Sequence, residues 1–331
     1  MLRIAINGFG RIGRRLTRLA LQDRDVHIVA INDLHDAHTM AHLFKYDSVH
    51  GPFGDEVVVS EGDLILGDQR IAYSQTADLR ALPWSDLQVD AIVDCTGHFK
   101  TAEALSGYAA HQLVPVVLSV PSSDNSLPMV IMGVKEEALQ APLVSNASCT
   151  TNSAAPLVAL LDELCGIESC YITTVHSYTL DQHLQDAPHR DLRRARAAGL
   201  NIVPTTTGAA KALTHIFPHL SVQIGGFGIR VPVPDGSLTD ITCMVRTPKT
   251  AAEINAAFKQ AASGAFAGIL EYQEDPLVSN DIIGNRHSCI FDAGLTSVIG
   301  GMVKVIGWYD NETGYASRLL DLLRARFAVS Q

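Results

Sequence analysis

Leu2-Arg-Ile-Ala-Ile-Asn-Gly-Phe-Gly-Arg-Ile-Gly13 decides the fold. Its first five residues form a short apolar strand, and Asn7-Gly-Phe-Gly-Arg-Ile-Gly13 follows as a glycine turn. Arg14-Arg-Leu-Thr-Arg-Leu-Ala-Leu21 has helical spacing, and Val26-His-Ile-Val-Ala-Ile-Asn-Asp33 is the next strand. Gly8 and Gly10 permit a tight turn and close approach of a pyrophosphate, and Gly13 lets the helix lie against the strand. The N-terminus of that helix then faces the phosphates. Asp33 stands 20 residues beyond Gly13, where a carboxylate reaches a ribose 2′-hydroxyl. A G-x-G-x-x-G alone is weak evidence; with both strands, the helix and the acid it specifies a Rossmann-type doubly wound parallel sheet of α/β class. The Asp33 charge repels a 2′-phosphate, so the expected cofactor is NAD rather than NADP.

Working outward, Met40–Tyr46 reads as a helix, and Glu56–Ser60, Leu64–Leu66 and Arg70–Tyr73 as short strands. Val89–Asp94 and Val114–Val120 read as buried parallel strands, which puts Thr96 and Ser119 at the carboxyl edge where open α/β sheets bind ligands. Later, Cys170–Val175 reads as a strand ending at His176. Ser177–Asn201 reads as a long irregular segment, and Gln223–Val233 and Leu238–Arg246 as long strands paired with each other. Ala251–Ala262 and Tyr315–Phe327 read as helices and Val303–Trp308 as a strand.

A second focus is Ser145-Asn-Ala-Ser-Cys-Thr-Thr-Asn152. Ser153–Leu164 beyond it has an apolar helical face, so Cys149 sits at or just before a helix N-terminus. Unpaired N–H groups and the dipole favour an anion there, and the expectation is a thiol more acidic than a free one. The small polar flanks Ser148 and Thr150 set the site apart from an inert core cysteine. His176 offers an imidazole for proton transfer.

The 331 residues exceed one typical core, so two domains are expected. A formal net charge of −10 argues against nonspecific binding to nucleic acid or to anionic membranes. The apolar run after Met1 is too short for a signal peptide and no stretch reaches membrane-spanning length, which points to the cytoplasm. The six cysteines have no metal-ligand spacing, so no metal and no disulfide are expected.

The glycine turn, the cysteine octet, Thr205-Thr-Thr-Gly-Ala-Ala-Lys211 and Trp308-Tyr-Asp-Asn-Glu-Thr-Gly-Tyr315 occur together. In this combination the chain resembles phosphorylating glyceraldehyde-3-phosphate dehydrogenases over essentially its whole length. The resemblance implies an NAD-binding domain over 1–148, an α+β catalytic domain with a large mixed or antiparallel sheet over 149–311, and a C-terminal helix over 312–331 packing back on the first. It implies oxidation of D-glyceraldehyde 3-phosphate to 1,3-bisphosphoglycerate in glycolysis or gluconeogenesis, with NAD and inorganic phosphate. Cys149 would form a thiohemiacetal and then a thioester, with His176 as base. The family pattern maps the substrate phosphate onto Thr179, Asp181 and Arg230, and the attacking phosphate onto Ser148, Thr150, Thr207, Gly208 and Arg194. Arg193 and Arg196 offer the same chemistry as Arg194. It places Arg11, Ile12, Asp33, Thr96, Ser119, Asn311 and Tyr315 at the cofactor, and implies a homotetramer in which the long loop reaches a neighbouring subunit.

The chain departs from the family pattern in four places. Ser153 stands where many members have a second cysteine, which removes an internal disulfide. Ala187-Pro188 replaces Leu-Pro beside the neighbouring ribose, and Thr76-Ala77 replaces an adenine-flanking arginine. Val233-Pro-Asp-Gly236 replaces Thr-Pro-Asn-Val and reads as a packing change. Two other readings compete: an erythrose-4-phosphate dehydrogenase, against which Thr179, Thr207–Lys211 and Glu312–Tyr315 speak, and a non-catalytic binding relative, against which the intact Cys149, His176 and glycine turn speak.

Overall fold

A computed structural model describes residues 1–110 and 114–327. The chain forms two compact units: Met1–Val130 with Lys135–Ala147 and the segment from Ala316 onward, and Ile131–Val134 with Ser148–Tyr315.

The first unit runs β1 (Leu2–Asn7), α1 (Arg11–Ala20), β2 (Val26–Asn32), α2 (Ala37–Lys45), β3 (Val57–Ser60), β4 (Asp63–Leu66), β5 (Gln69–Ser74), β6 (Ala91–Asp94), β7 (Val116–Leu118) and β8 (Leu143–Ser145). The sheet order is β3-β4-β5-β2-β1-β6-β7-β8. From β5 to β8 every pairing is parallel, while β3 and β4 add an antiparallel meander. Counted along the chain, the six parallel strands lie in the order third, second, first, fourth, fifth, sixth, so the winding reverses between β1 and β6. That is the switch point where such sheets bind ligands beyond their carboxyl ends. The strands are near-continuous apolar runs because both faces are covered, and Ile4, Ile6, Ile31, Ile92 and Val117 are wholly buried.

Two glycines are forced by space. Gly8 has φ +92°, and a Cβ there would lie 2.6 Å from the Thr96 nitrogen; a Cβ on Gly13 would lie 2.2 Å from the Gly8 carbonyl oxygen. Gly10 differs, since a Cβ there would meet nothing within 4 Å.

The second unit contains α3 (Cys149–Cys165), β9 (Ile167–Ser177), β10 (Val203–Thr205), α4 (Ala209–Ile216), β11 (Ile224–Val231), β12 (Ser237–Val245), α5 (Ala251–Ser263), β13 (Leu270–Gln273), β14 (Cys289–Asp292), β15 (Ser297–Ile299) and β16 (Met302–Tyr309). Its sheet is mixed, in the order β10-β11-β9-β12-β16-β14-β13, with β15 against β16. This corrects the expectation that the segments around β11 and β12 pair with each other. β9 lies between them, parallel to β11 and antiparallel to β12, and Pro232–Gly236 is therefore a crossover rather than a hairpin turn. The short strands β10, β13, β14 and β15 are below what alternation in so few residues reveals.

The last helix is α6 (Thr313–Arg326). Within the first unit its Arg324 forms an ion pair with Asp23, and Arg326 Nη1 donates to the Ala141 carbonyl at 2.8 Å. The expected helix over 312–331 includes 328–331, which lie outside the described residues. Among the described residues no helix is long and apolar enough to cross a membrane.

Candidate active site

In the first unit, the predicted cofactor residues gather at one sheet edge. Gly8 follows β1, Thr96 follows β6, Ser119 follows β7 and Asp33 follows β2. A buried polar relay pins these strand ends: Asn32 Nδ2 donates to Asn7 Oδ1 (2.8 Å), Asn7 Nδ2 to Tyr108 Oη (2.6 Å), and Tyr108 Oη to Asp94 Oδ2 (2.7 Å). Asp94 Oδ1 in turn accepts from the Thr96 N–H and hydroxyl. Sequence reading missed this relay, because Tyr108 comes from a short 3-10 helix (Ala104–Ala110) and its partnership exists only in three dimensions.

The edge suits a dinucleotide. Helix α1 starts at Gly10 with no side-chain cap and no acid in its first turn, leaving N–H groups at a positive helix end. The space a Cβ would occupy on Gly10 is empty. Asp33 Oδ2 accepts from the Phe9 N–H at 2.7 Å, tying the acid to the turn. Burial opposes the Asp33 charge, but hydrogen bonds from His35 and Phe9 hold its carboxyl below the ordinary value. The Arg11 side chain turns to Asp47 at 2.8 Å. Thr76, at one of the family departures, donates its N–H to Asn32 Oδ1 at 3.0 Å.

In the second unit, Ser148 is the N-cap of α3, its Oγ accepting from the Thr151 N–H at 3.1 Å, and Cys149 is the first helical residue. Cys149 Sγ lies 3.4 Å from His176 Nε2. The Thr150 hydroxyl meets Tyr309 Oη (2.9 Å), which also meets the Thr174 hydroxyl (2.8 Å), and the Tyr309 ring stands edge-on to His176 at 5.9 Å. The tyrosine thus braces the helix start and the histidine strand together, a role the sequence did not announce. Ser153 is buried, its hydroxyl 3.0 Å from that of Thr239.

The electrostatics correct one expectation. Burial pushes the Cys149 thiol above its ordinary value, and the Arg230 charge and the helix N–H groups only partly offset this. Burial, reinforced by the Arg230 charge, lowers His176 to about 3. Burial thus opposes a thiolate–imidazolium pair from both sides, against the helix end that favours the thiolate.

Arg230 lies opposite His176 in the β9–β11 register. Its Nη1 is 2.6 Å from His176 Nδ1 and donates to the Ser177 carbonyl at 2.9 Å; Nδ1 is also 2.7 Å from that carbonyl. Nδ1 cannot accept from Arg230 and donate to Ser177 at once. A guanidinium only donates, so with Arg230 in this place Nδ1 is the acceptor and the ring proton is on Nε2, facing the sulfur.

Of Arg193, Arg194 and Arg196, Arg194 turns inward: Nε donates to Thr205 Oγ1 (2.9 Å), Nη2 to the Thr206 carbonyl (3.1 Å), and Nη1 pairs with Asp181. Arg196 instead pairs with Asp186 at the surface, and Arg193 is exposed. Gly208 begins α4 without a side-chain cap, and Thr207 Oγ1 accepts from the Ala209 N–H at 3.3 Å. Thr179 is half-buried. Asn311 Oδ1 accepts from the hydroxyls of Ser177 (2.8 Å) and Ser237 (2.7 Å), which fixes its amide orientation; Tyr315 is buried.

The Val233–Gly236 departure alters charge as well as packing. Asp235, Asp310 and Glu312 are all buried, and burial together with the other two charges pushes Asp235 up to about 8. Asp310 caps α6 through the Thr313 N–H (2.6 Å) and holds the Gly284 N–H (2.7 Å). Because the folded value lies above the unfolded one (about 3.9), this acid's stabilising contribution is complete at low pH and is lost as pH rises towards 8. Asp235→Asn is therefore expected to melt a few degrees above wild type at pH 8, on a scale of ~2–4 °C per kcal/mol. The difference should vanish near pH 4; thermal melts showing no pH dependence of the difference would contradict the buried acid.

A dinucleotide-binding sheet in one unit and a cysteine–histidine contact at a helix start in the other define a two-domain α/β dehydrogenase. The NAD-binding domain profile of glyceraldehyde 3-phosphate dehydrogenase matches residues 2–102 and its C-terminal domain profile matches 148–311, so the chain belongs to the glyceraldehyde-3-phosphate dehydrogenase family. It is 48% identical over 325 residues to glyceraldehyde-3-phosphate dehydrogenase 1 of Streptomyces avermitilis, covering 97% of each chain. It is 46% identical over 328 residues to glyceraldehyde-3-phosphate dehydrogenase 2 of Bacillus subtilis (98% of this chain, 96% of the relative). Against the Mycobacterium tuberculosis glyceraldehyde-3-phosphate dehydrogenase it is 48% identical over 332 residues, covering 97% of each.

Proposed function

We propose that this enzyme converts D-glyceraldehyde 3-phosphate, NAD and inorganic phosphate to 1,3-bisphosphoglycerate, with the first unit as NAD-binding domain and the second as catalytic domain. The observation that carries the chemistry is the 3.4 Å contact between Cys149 Sγ, at the first position of α3, and His176 Nε2. Substrate phosphate, drawing on Arg230 with Thr179 and Asp181, takes the guanidinium off His176 Nδ1. The freed ring gives its Nε2 proton to solvent and takes one on Nδ1, which it donates to the Ser177 carbonyl, so Nε2 can take the thiol proton. The thiolate adds to the aldehyde carbon, and the helix N–H groups stabilise the oxygen of the resulting thiohemiacetal. His176 returns the thiol proton to that oxygen and takes it back when the carbon is oxidised. When bound, NAD supplies the two-electron acceptor that turns the thiohemiacetal into a thioester on Cys149. Ser148, Thr150, Arg194, Thr207 and the α4 start at Gly208 orient the attacking phosphate, a task suited to fork-shaped and backbone donors. Asn311, its oxygen held by two serines, has an amide nitrogen suited to the nicotinamide carboxamide, with Tyr315 packing beside the ring. NADH formation from glyceraldehyde 3-phosphate, followed with and without phosphate, tests the reaction; turnover that ignores phosphate would refute it.

The same reading includes a cytoplasmic homotetramer. Leu180, Leu184, Leu192 and Leu200 are each more than four-fifths exposed on one loop, an apolar load suited to a second copy of the chain. All six cysteines are unpaired, as a reducing compartment favours. Light scattering of the purified protein measures the assembly directly.

Asp33 is the cofactor discriminator. Asp33→Asn keeps an acceptor for the Phe9 N–H but removes the charge. NADP should then gain about tenfold in kcat/KM, ~1.4 kcal/mol, while NAD falls modestly. A variant with unaltered preference would place the ribose elsewhere.

A further inference from the structure

The Asp33 carboxylate has a titratable neighbour. Its Oδ1 accepts from the His35 N–H at 3.1 Å and lies 2.8 Å from His35 Nδ1. The Asp33 side chain is 13% exposed and the His35 side chain 73%, so the ring lies over the carboxylate with its far side in water. The residue is anchored by its backbone: the His35 carbonyl accepts from Tyr73 Oη at 2.6 Å, and the adjacent Leu34 carbonyl from Gln75 Nε2 at 3.0 Å. Asp33 is the direct partner of His35. Asp36 is occupied by the Thr39 N–H and hydroxyl. The Tyr73 hydroxyl stays neutral, pushed up by burial and by the charges of Asp33 and Asp36.

We propose that His35 is a specificity-determining residue: its protonated ring cancels the Asp33 charge and presents Nε2–H to a 2′-phosphate, so discrimination against NADP relaxes as pH falls. The proposal rests on the reading of Asp33 as the ribose contact. The physics is simple. Asp33 rejects a 2′-phosphate only while its charge is unbalanced, and an imidazole is the side chain whose charge changes between about pH 5 and 8. A proton placed 2.8 Å from the carboxylate converts a lone anion into an ion pair with a donor to spare. The ring is exposed, so the effect is moderate and weakens with salt.

The test is the ratio of kcat/KM for NADP to that for NAD at about pH 6 and pH 8.5, which brackets imidazole titration. It is measured in wild type, His35→Gln and Asp33→Asn. In wild type the ratio should rise roughly fivefold or more at the lower pH, a moderate change as befits an exposed pair. His35→Gln should keep only the small rise due to the 2′-phosphate's own ionisation near pH ~6. High salt should flatten the wild-type response. Equal pH responses in wild type and His35→Gln would overturn the proposal. If Asp33→Asn left the ratio at pH 8.5 unchanged, the ribose assignment itself would fail and the proposal with it; a raised ratio in Asp33→Asn with equal slopes elsewhere would sink the role of His35 alone.

Discussion

Replacing Cys149 by serine is expected to abolish turnover while leaving NAD binding in place. A hydroxyl at the same position is far less acidic than a thiol, and here burial already raises even the thiol. The 3.4 Å partner at His176 Nε2 cannot make up the difference. The glycine turn belongs to the other compact unit, so titration with NAD should show near-normal affinity. Activity above a no-enzyme control would exclude the covalent route. Alkylation should single out the same residue. Cys165, Cys170, Cys243 and Cys289 are buried, and Cys95 is pushed up to about 12 by burial, so iodoacetamide should reach Cys149 first. Mass spectrometry showing even labelling of all six would contradict its special standing.

The second large effect is on the base. His176→Asn should lower kcat by about a hundredfold or more, the scale of a lost general base. The variant should bind NAD normally. Because His176 is held at about 3, the ring is already neutral throughout the working range, and its own titration sets no acidic limb above about pH 4. Alkylation of Cys149 in the unliganded enzyme should climb steadily from about pH 6 to 9, without a plateau, since burial raises the thiol. It should be slower in the asparagine variant, which lacks the imidazole N–H that faces the sulfur and favours the thiolate. A plateau in wild type would restore the thiolate–imidazolium pair. The stability sign follows too. The folded value of His176 lies below the unfolded one, about 6.5. Its contribution is therefore present above that pH and lost as pH falls towards 3.

Much of this was legible in the sequence, for identifiable reasons. Gly8 and Gly13 are dictated by backbone collisions that no other residue survives, so their spacing announces the turn. The position of Cys149 at the head of α3 could be read because Ser148 is a strong N-cap and an apolar helical face follows it. Thiol acidity could not be read, because it is a contest between a helix end visible in sequence and desolvation that depends on distant packing. Pairing of β11 with β12 was misjudged for a related reason: adjacency in sequence favours a hairpin, and only tertiary contacts reveal β9 between them. Tyr108 and Tyr309 were missed since each is defined by partners more than ten residues away. His35 has no part in the sequence reading, because the role proposed for it depends on a side-chain direction, which spacing does not encode.

The register that sets Arg230 opposite His176 works as a caliper. Neighbouring strands stand about 4.8 Å apart, so hydrogen bonds of the sheet fix how far the root of the Arg230 side chain stands from that of His176. Resetting it would mean slipping a strand by one residue, which turns every side chain on it to the opposite face. On the proposed reading of Arg230, a change in substrate reach is made in the loop that carries Thr179 and Arg194, which lies outside the ladder.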